Sequence, residues 1–349
     1  MILNESYIGQ RYNRPDSISK VTGYAKYTAD LIAGRTDVLV AKVCRIDCAC
    51  ASIKTIDVDE AKKVPGVIAV LTADDLFDSP KYGYILKDKP ILAKGEIVCD
   101  CDSLAFVAAE TEEAANKAVS LISIEYDVLP WETNPCRNIC PEAKLVRKEY
   151  AAAKCGNVSN DVRVERGDME NSFLKTACEI KADFRTPIVE HASLERDIAI
   201  AEPDYMNGGL TLYCPVQNVH GMREGICEAL NLPVSKIRVI SPLIGGGFGG
   251  KECSSVDCGV VAGVLALFTG RPVVYEMTRE EVFRYTSKRH RSYIRYYLGV
   301  DEEGCITEMQ SEAIFDKGAY KSVDVIPHRS ALLSGGPYSI PVVNVGNRS

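Results

Sequence analysis

Short apolar stretches separated by charged turns dominate the first third of the chain. Val38–Val43 and Val67–Leu71 are rich in β-branched residues, and Leu104–Ala109 is a short apolar run, so each has the make-up of a strand. Between the first two, Val58-Asp59-Glu60-Ala61-Lys62-Lys63-Val64 has the pattern of a short amphipathic helix, which Pro65-Gly66 stops. Thr111-Glu112-Glu113-Ala114-Ala115 reads as a helix start: a hydroxyl cap, two acids in the first turn, then alanines. A strand, Ile122–Tyr126, follows it.

From Leu129 to about Asp168 the periodicity dissolves. Pro130, Pro135, Pro141 and the polar run Gly156–Asp161 break it, as expected of a linker or an arm lying on a partner. Order resumes with a strand at Leu210–Tyr213, a helix at Gly221–Leu230, a strand at Ile237–Ile240 and a helix from about Ser254 to Leu267. The expected division is 1–130, a linker at 131–168, and 169–349, in an α+β fold.

At 349 residues the chain has the length of about two domains. Its formal net charge of -7 gives no basic surplus for nucleic acid or an anionic membrane. No apolar run approaches the ~18 residues of a membrane span. Met1–Ser6 has neither a basic nor an apolar export region, which points to the cytoplasm. Fourteen cysteines without such a signal read as reduced thiols. Cys48-Ala49-Cys50 and Cys99-Asp100-Cys101 are C-x-C pairs on expected strands, and Cys136 and Cys140 flank the linker. No spacing matches a zinc ribbon or an iron–sulfur run, so any iron–sulfur centre belongs to another chain.

The densest chemical signal is Gly245-Gly246-Gly247-Phe248-Gly249-Gly250-Lys251-Glu252, between the strand at 237–240 and a helix. Five glycines around one aromatic bring backbone N–H groups close to a ligand, since no side chain intervenes. Gly245, Gly247 and Gly250 fit a dinucleotide fingerprint, with Glu276 after the strand Pro272–Tyr275 as its acid. Gly245–Lys251 also approaches a P-loop, but Glu252 stands where Ser or Thr should hold magnesium, which excludes that reading.

The same turn resembles the glycine–phenylalanine turn beside molybdenum in the xanthine dehydrogenase/aldehyde oxidase family. Lys20–Asp30 resembles the opening of that family's hammerhead domain, and Pro65–Thr72 and Ala109–Ala114 its later parts. Pro215-Val216-Gln217-Asn218, Asp316–Tyr320 and Gly336–Pro341 recur in the family's order, so the resemblance runs over nearly the whole chain. It implies a hammerhead α/β domain at 1–130 and the first part of a molybdenum-cofactor domain at 169–349. The implied reaction is hydroxylation of an electron-poor carbon of an N-heterocycle or aldehyde, with water as oxygen source. It also implies molybdenum held by a pterin dithiolene rather than by side chains, with the cytosine dinucleotide form of the pterin left open. Electrons would leave through iron–sulfur and FAD sites on partner chains.

Carried over position by position, the resemblance makes Gln217 a donor to a molybdenum oxo ligand. Gly247, Phe248, Gly249 and Gly250 present backbone to the cofactor, and Phe248 walls the substrate. Glu252 falls where xanthine-type members hold a purine edge, although an acid in the first turn of a helix is itself favourable. Arg329 falls where an arginine stabilises charge developing on the heterocycle. Together Glu252 and Arg329 tilt the expected substrate towards purines. His191 and Glu195, at i and i+4, invite a metal reading, but the family's matching pair is structural, and Arg196 departs from its usual proline or threonine. His220, His290 and His328 are scattered. Ser287–Arg291 is a basic cluster expected to be a solvated loop.

Family members continue well past the segment matching Gly336–Pro341, into an arginine–glycine–phenylalanine turn, much of the pterin pocket and a glutamate base worth ~10²–10⁴-fold in rate. None of these has a match here. The expectation is a chain inactive by itself, completed by one that supplies the second half of the domain. A flavin- or nicotinamide-binding oxidoreductase and an inactive assembly protein are the alternatives.

Overall fold

The structure, a computed structural model, describes residues 9–77, 80–83, 86–146, 156–168, 176–320 and 325–349. Residues 1–6, which carry the export expectation, and Cys155 lie outside the described residues. The strands are β1 Leu39–Cys44, β2 Ala51–Asp57, β3 Val67–Thr72, β4 Lys81–Tyr82, β5 Lys89–Pro90, β6 Glu96–Ile97, β7 Ala105–Ala109, β8 Ser123–Val128 and β9 Asp161–Arg166. They continue with β10 Cys178–Thr186, β11 Ile198–Asp204, β12 Gly209–Tyr213, β13 Ile237–Ile240, β14 Val273–Glu276, β15 Arg291–Val300, β16 Ile306–Asp316 and β17 Val342–Arg348. The helices are α1 Ser17–Val21, α2 Asp59–Lys62, α3 Glu112–Ser120, α4 Pro135–Asn138, α5 Val219–Leu230, α6 Ser254–Thr269, α7 Arg279–Tyr285 and α8 Val325–Leu333. This α+β content matches the expectation.

A seven-stranded sheet, in the order β13-β12-β11-β14-β1-β7-β3, organises the larger core. It joins strands from both sides of the 131–168 segment, so the first 130 residues and the later part share one sheet. The strand β7 is buried throughout because both its faces are covered. Phe106 and Ala108 face the cluster containing α5 and α6, while Val107 and Ala109 face the cluster of α2 and α3. The start of α3 forms as its sequence dictates: the Thr111 side chain accepts a hydrogen bond from the Ala114 N–H.

The helix α6 corrects the expectation about apolar runs. Gly250–Thr269 reaches a mean hydropathy of 1.4, enough by composition to cross a bilayer. It packs on β11 and β14, and 67% of the window is buried inside the protein, so it is a core helix apolar all round.

A second sheet, β10-β15-β16-β17-β9, carries α8 on one face against β17 and β9. The strand β9 falls inside the segment expected to be a linker. Val162 and Val164 alternate with Asp161, Arg163 and Glu165, and Val164 pairs with Val345 of β17. One strand face is half-buried while the other is charged, and that charge hid the strand in the sequence.

The C-x-C pairs also differ from expectation. Both lie in turns rather than strands, and Cys99 and Cys101 are disulfide-bonded to each other. Among the free cysteines, Cys140, Cys178 and Cys305 are exposed. Burial pushes the Cys44 thiol up to about 11, and burial aided by Asp257 and Glu252 pushes Cys253 up to about 12. Iodoacetamide at pH 8 is therefore expected to alkylate Cys140, Cys178 and Cys305 and to spare Cys44 and Cys253 in the native protein. Peptide mass spectrometry checks this, and rapid labelling of Cys253 would contradict it.

Candidate functional site

The strands β12 and β13 run parallel, with Tyr213 opposite Ile240, so their carboxyl ends open on the same edge of the sheet. One end leads through Cys214, Pro215 and Val216 to Gln217; the other leads through Ser241–Ile244 into the glycine turn. Residues far apart in sequence meet here for that reason. The Gln217 N–H donates to the Lys251 carbonyl at 3.0 Å. Its side-chain Oε1 accepts from the Gly249 N–H at 2.9 Å and the Lys251 N–H at 3.2 Å.

Two main-chain donors fix which way the carboxamide faces, because only its oxygen can accept from them. The Gln217 NH2 is thereby turned away from the turn, on an exposed residue, and it meets no acceptor among the described residues. A cofactor oxygen placed there would complete it.

The turn must be glycine-rich to lie so close. A Cβ on Gly247 would stand 2.6 Å from Gln217 Oε1, and one on Gly250 would stand 2.8 Å from His191 Nδ1. Phe248 adopts φ +52 and is 76% exposed, so its ring stands at the lip of the turn.

Beneath the turn lies a polar support that the sequence pattern did not reveal in full. Lys251 is 1% exposed and points inward, its Nζ donating to Glu195 O at 2.9 Å and to Glu195 Oε2 at 3.0 Å. The same Oε2 accepts the Gly245 N–H at 2.7 Å. Glu195 thus ties both ends of the turn together, the structural role expected of it. Among the described residues, His191 packs under Gly250 with a buried Nδ1 that meets no hydrogen-bond partner, and no cluster is able to hold a metal ion. Below, Ser254 Oγ donates to the buried Asp197 at 2.5 Å; burial raises the Asp197 carboxyl and that hydrogen bond opposes the rise.

The inward Lys251 leaves no ammonium for a phosphate. Glu276, the acid of the dinucleotide pattern, is paired with Arg196 at 2.5 Å. The strands β13 and β14 are also separated by β12 and β11, whereas a dinucleotide unit sets such strands side by side.

Glu252 ends the 3₁₀ turn Gly250–Glu252, half-buried, one residue ahead of the residue that caps α6, so it is not an acid of that helix's first turn. Arg329 is exposed on α8, and no contact joins it to the turn among the described residues. The structure therefore brings together Gln217, Gly247, Phe248, Gly249, Gly250 and Glu252, and leaves Arg329 apart. The basic cluster differs from a solvated loop: Lys288 Nζ meets Glu190 Oε2 at 2.6 Å and the Thr286 carbonyl at 2.7 Å. Alongside runs a groove of about 1400 Å³, whose walls include Tyr82, Asn218, Cys253, Asp257 and Tyr320. Asn218 and Cys253 are the immediate chain neighbours of Gln217 and Glu252.

Known proteins match both parts of this fold. Residues 152–349 match the model of the molybdopterin cofactor-binding domain, and residues 22–130 that of the aldehyde oxidase and xanthine dehydrogenase a/b hammerhead domain. The chain is 32% identical over 329 residues to a probable xanthine dehydrogenase subunit of Bacillus subtilis, covering 94% of this chain and 43% of that one. It is 31% identical over 339 residues to the nicotinate dehydrogenase large molybdopterin subunit of Eubacterium barkeri, covering 97% of this chain and 77% of that one. Among solved structures, the carbon monoxide dehydrogenase of Oligotropha carboxidovorans superposes with a TM-score of 0.85 at 28% identity, over 97% of this chain and 44% of that one. Quinoline 2-oxidoreductase of Pseudomonas putida shares the fold, with a TM-score of 0.87 at 24% identity, over 99% of this chain and 44% of that one. The chain thus spans less than half the length of the Bacillus relative and of the carbon monoxide dehydrogenase chain. By its domain matches and its similarity along nearly its whole length, the chain belongs to the molybdopterin-binding xanthine dehydrogenase/aldehyde oxidase family.

Proposed function

We propose that the chain forms the hammerhead and first molybdenum-domain portion of a molybdenum hydroxylase acting on an electron-poor carbon of an N-heterocycle. The observation that carries this reading is the Gln217 carboxamide, held by two main-chain amides so that its NH2 is presented outward beside glycines whose missing side chains let it lie against the turn. A donor fixed before the ligand arrives costs little to organise when the ligand binds. The bare, exposed backbone of Gly249 lets a bulky cofactor approach the turn, while Gly247 and Gly250 let Gln217 and His191 pack against it. When bound, the molybdenum–pterin group supplies activation of water as a nucleophile and takes up the electron pair.

The chain's own residues have simpler tasks. Gln217 donates an N–H to the cofactor and orients it, and Glu195 with Lys251 keeps the turn that carries the donor's anchor rigid. Glu252, without a hydrogen-bond partner among the described residues, holds the polar edge of a heterocycle in this reading. Relatives named for xanthine and nicotinate support a heterocyclic substrate, and the Glu252 carboxylate favours one with N–H groups on its edge, as a purine has. The electron-transfer centres, iron–sulfur and FAD, are assigned to partner chains.

Isotope labelling of the assembled complex tests the reaction class. In water enriched in oxygen-18, with xanthine, hypoxanthine and nicotinate supplied separately, the hydroxylated product is expected to carry the heavy oxygen. A product labelled only from dioxygen would contradict the proposal.

A further inference from the structure

Two cysteines on the wall of the groove are joined where the sequence predicts free thiols. Cys99 and Cys101 form a disulfide across a single residue, and both are half-buried on that wall together with Asp100. In the chain-entropy account, a disulfide stabilises a fold by closing a loop in the unfolded chain, and the gain grows with loop length. With Cys99 and Cys101 two positions apart, that gain is small. The turn also keeps its shape without the sulfurs. The buried Asp102 carboxylate accepts the Val98 N–H at 2.9 Å and the Cys99 N–H at 3.3 Å, and the Asp102 N–H donates to the Cys99 carbonyl at 3.1 Å. Tyr320 donates its hydroxyl to the other Asp102 oxygen. A disulfide that the turn does not need, lining a groove of about 1400 Å³, is placed for exchange rather than for support.

The surroundings distinguish these sulfurs from the other thiols nearby. The Cys101 N–H donates to Cys99 Sγ at 3.2 Å, a contact that strengthens when that sulfur carries a thiolate charge. Two arginines offset the acids of the turn: Arg284 pairs with Asp100 at 3.4 Å and with Asp47, and Arg45 Nε donates to the Cys101 carbonyl at 3.4 Å. Cys50 and Cys253 line the same groove, but burial raises both thiols, Cys253 to about 12. The two arginines also connect the turn to α7. Arg284 belongs to that helix, and Arg45 reaches its Glu281 at 3.1 Å.

We propose that Cys99 and Cys101 form a reversible thiol–disulfide site for a low-molecular-weight thiol of the glutathione type, and that the oxidised state braces the end of α7. In the reduced chain the Cys99 thiolate attacks the S–S bond of the oxidised thiol, RSSR, giving a mixed disulfide and one thiolate, which takes up the Cys99 proton. The Cys101 thiolate then attacks Cys99 Sγ, closing the disulfide and expelling the second thiolate, which takes up the Cys101 proton. Two cysteine thiols are oxidised while one RSSR is reduced to two RSH, and excess RSH reverses both steps. The closed ring fixes Asp100 and the Cys101 carbonyl opposite Arg284 and Arg45; the open dithiol frees them.

The test equilibrates the full chain in buffers of graded reduced and oxidised glutathione, traps free thiols by alkylation and reads the peptides by mass spectrometry. Cys99 and Cys101 are expected to gain and lose their labels together and reversibly, while Cys44 and Cys253 stay unlabelled at every ratio. Amide hydrogen exchange over 98–102 and 283–286 should be about threefold or more faster in the reduced chain than in the oxidised one. Cys99→Ser and Cys101→Ser should show the fast exchange in both buffers. Cys305→Ser, an exposed free thiol outside the groove wall, should follow the wild type. Free thiols at 99 and 101 in oxidised glutathione would overturn the site, as would a disulfide that excess reduced glutathione leaves closed. A lasting glutathione adduct on Cys99, or pairing of either residue with Cys50, would overturn it equally. Equal exchange over 283–286 in the two states would overturn the brace on α7.

Discussion

Lys251→Met is expected to destabilise the free chain by about 3–5 kcal/mol, because it strands a carboxylate beneath the glycine turn. The Lys251 side chain is 2% exposed and that of Glu195 13%, so water cannot replace the lost ammonium. The Gly245 N–H remains to satisfy part of Glu195, yet one hydrogen bond does not balance a buried charge. Adding Glu195→Gln to the methionine variant removes that charge and should recover a large part of the loss, since the pair's net worth is far smaller than the cost of breaking it. The comparison is Arg295→Ala, whose partner Asp183 lies with it at the surface, 84% and 76% exposed. That change should stay within about 1 kcal/mol. Urea midpoints for the wild type and the three variants decide the matter; equal midpoints for Lys251→Met and Arg295→Ala would show that the turn does not depend on its buried ion pair.

The second large effect concerns the cofactor rather than the fold. Gly247→Ala puts a Cβ where Gln217 Oε1 now stands, 2.6 Å away. Gly247 does not adopt positive φ, so the backbone accepts alanine and the strain falls on the carboxamide. Gln217 must swing out, breaking its bonds from Gly249 and Lys251 and turning its NH2 off line. We expect molybdenum and pterin retained by the assembled complex to fall about tenfold or more, in keeping with the loss of a group that orients a metal centre. The thermal midpoint should move only slightly. Gly335→Ala, whose Cβ would meet Ile340 at an ordinary 3.6 Å, serves as the control and should retain both. Full retention by Gly247→Ala would separate the Gln217 anchor from cofactor binding.

Sequence made some of this legible and hid the rest for physical reasons. The strands β1, β3 and β7 stand out because both of their faces are covered, which writes continuous apolar runs into the chain. The Thr111 cap and its two acids mark the start of α3 for local reasons that no tertiary contact overrides. The strands β9, β10 and β15 have only one apolar face, and their arginines, glutamates and tyrosines read as loop or linker until the register is known. At the site, the glycines and Gln217 stand out through a family pattern, since their chemistry needs unusual residues. The inward direction of Lys251 was not legible, because a lysine after a glycine turn reads equally well as a phosphate ligand. Only the folded chain shows Glu195, just ahead of β11, reaching up from below to claim it.

The proposed function depends on the turn and the glutamine being shaped for a metal-bearing pterin rather than a nucleotide. The most direct measurement is elemental and fluorescence analysis of the complex assembled from this chain and its partner, denatured after extensive dialysis. Molybdenum and an oxidised pterin in equal amounts, both lost together in Gly247→Ala, are the expected result. Release of a flavin or nicotinamide dinucleotide from this chain, with neither molybdenum nor pterin, would contradict the account.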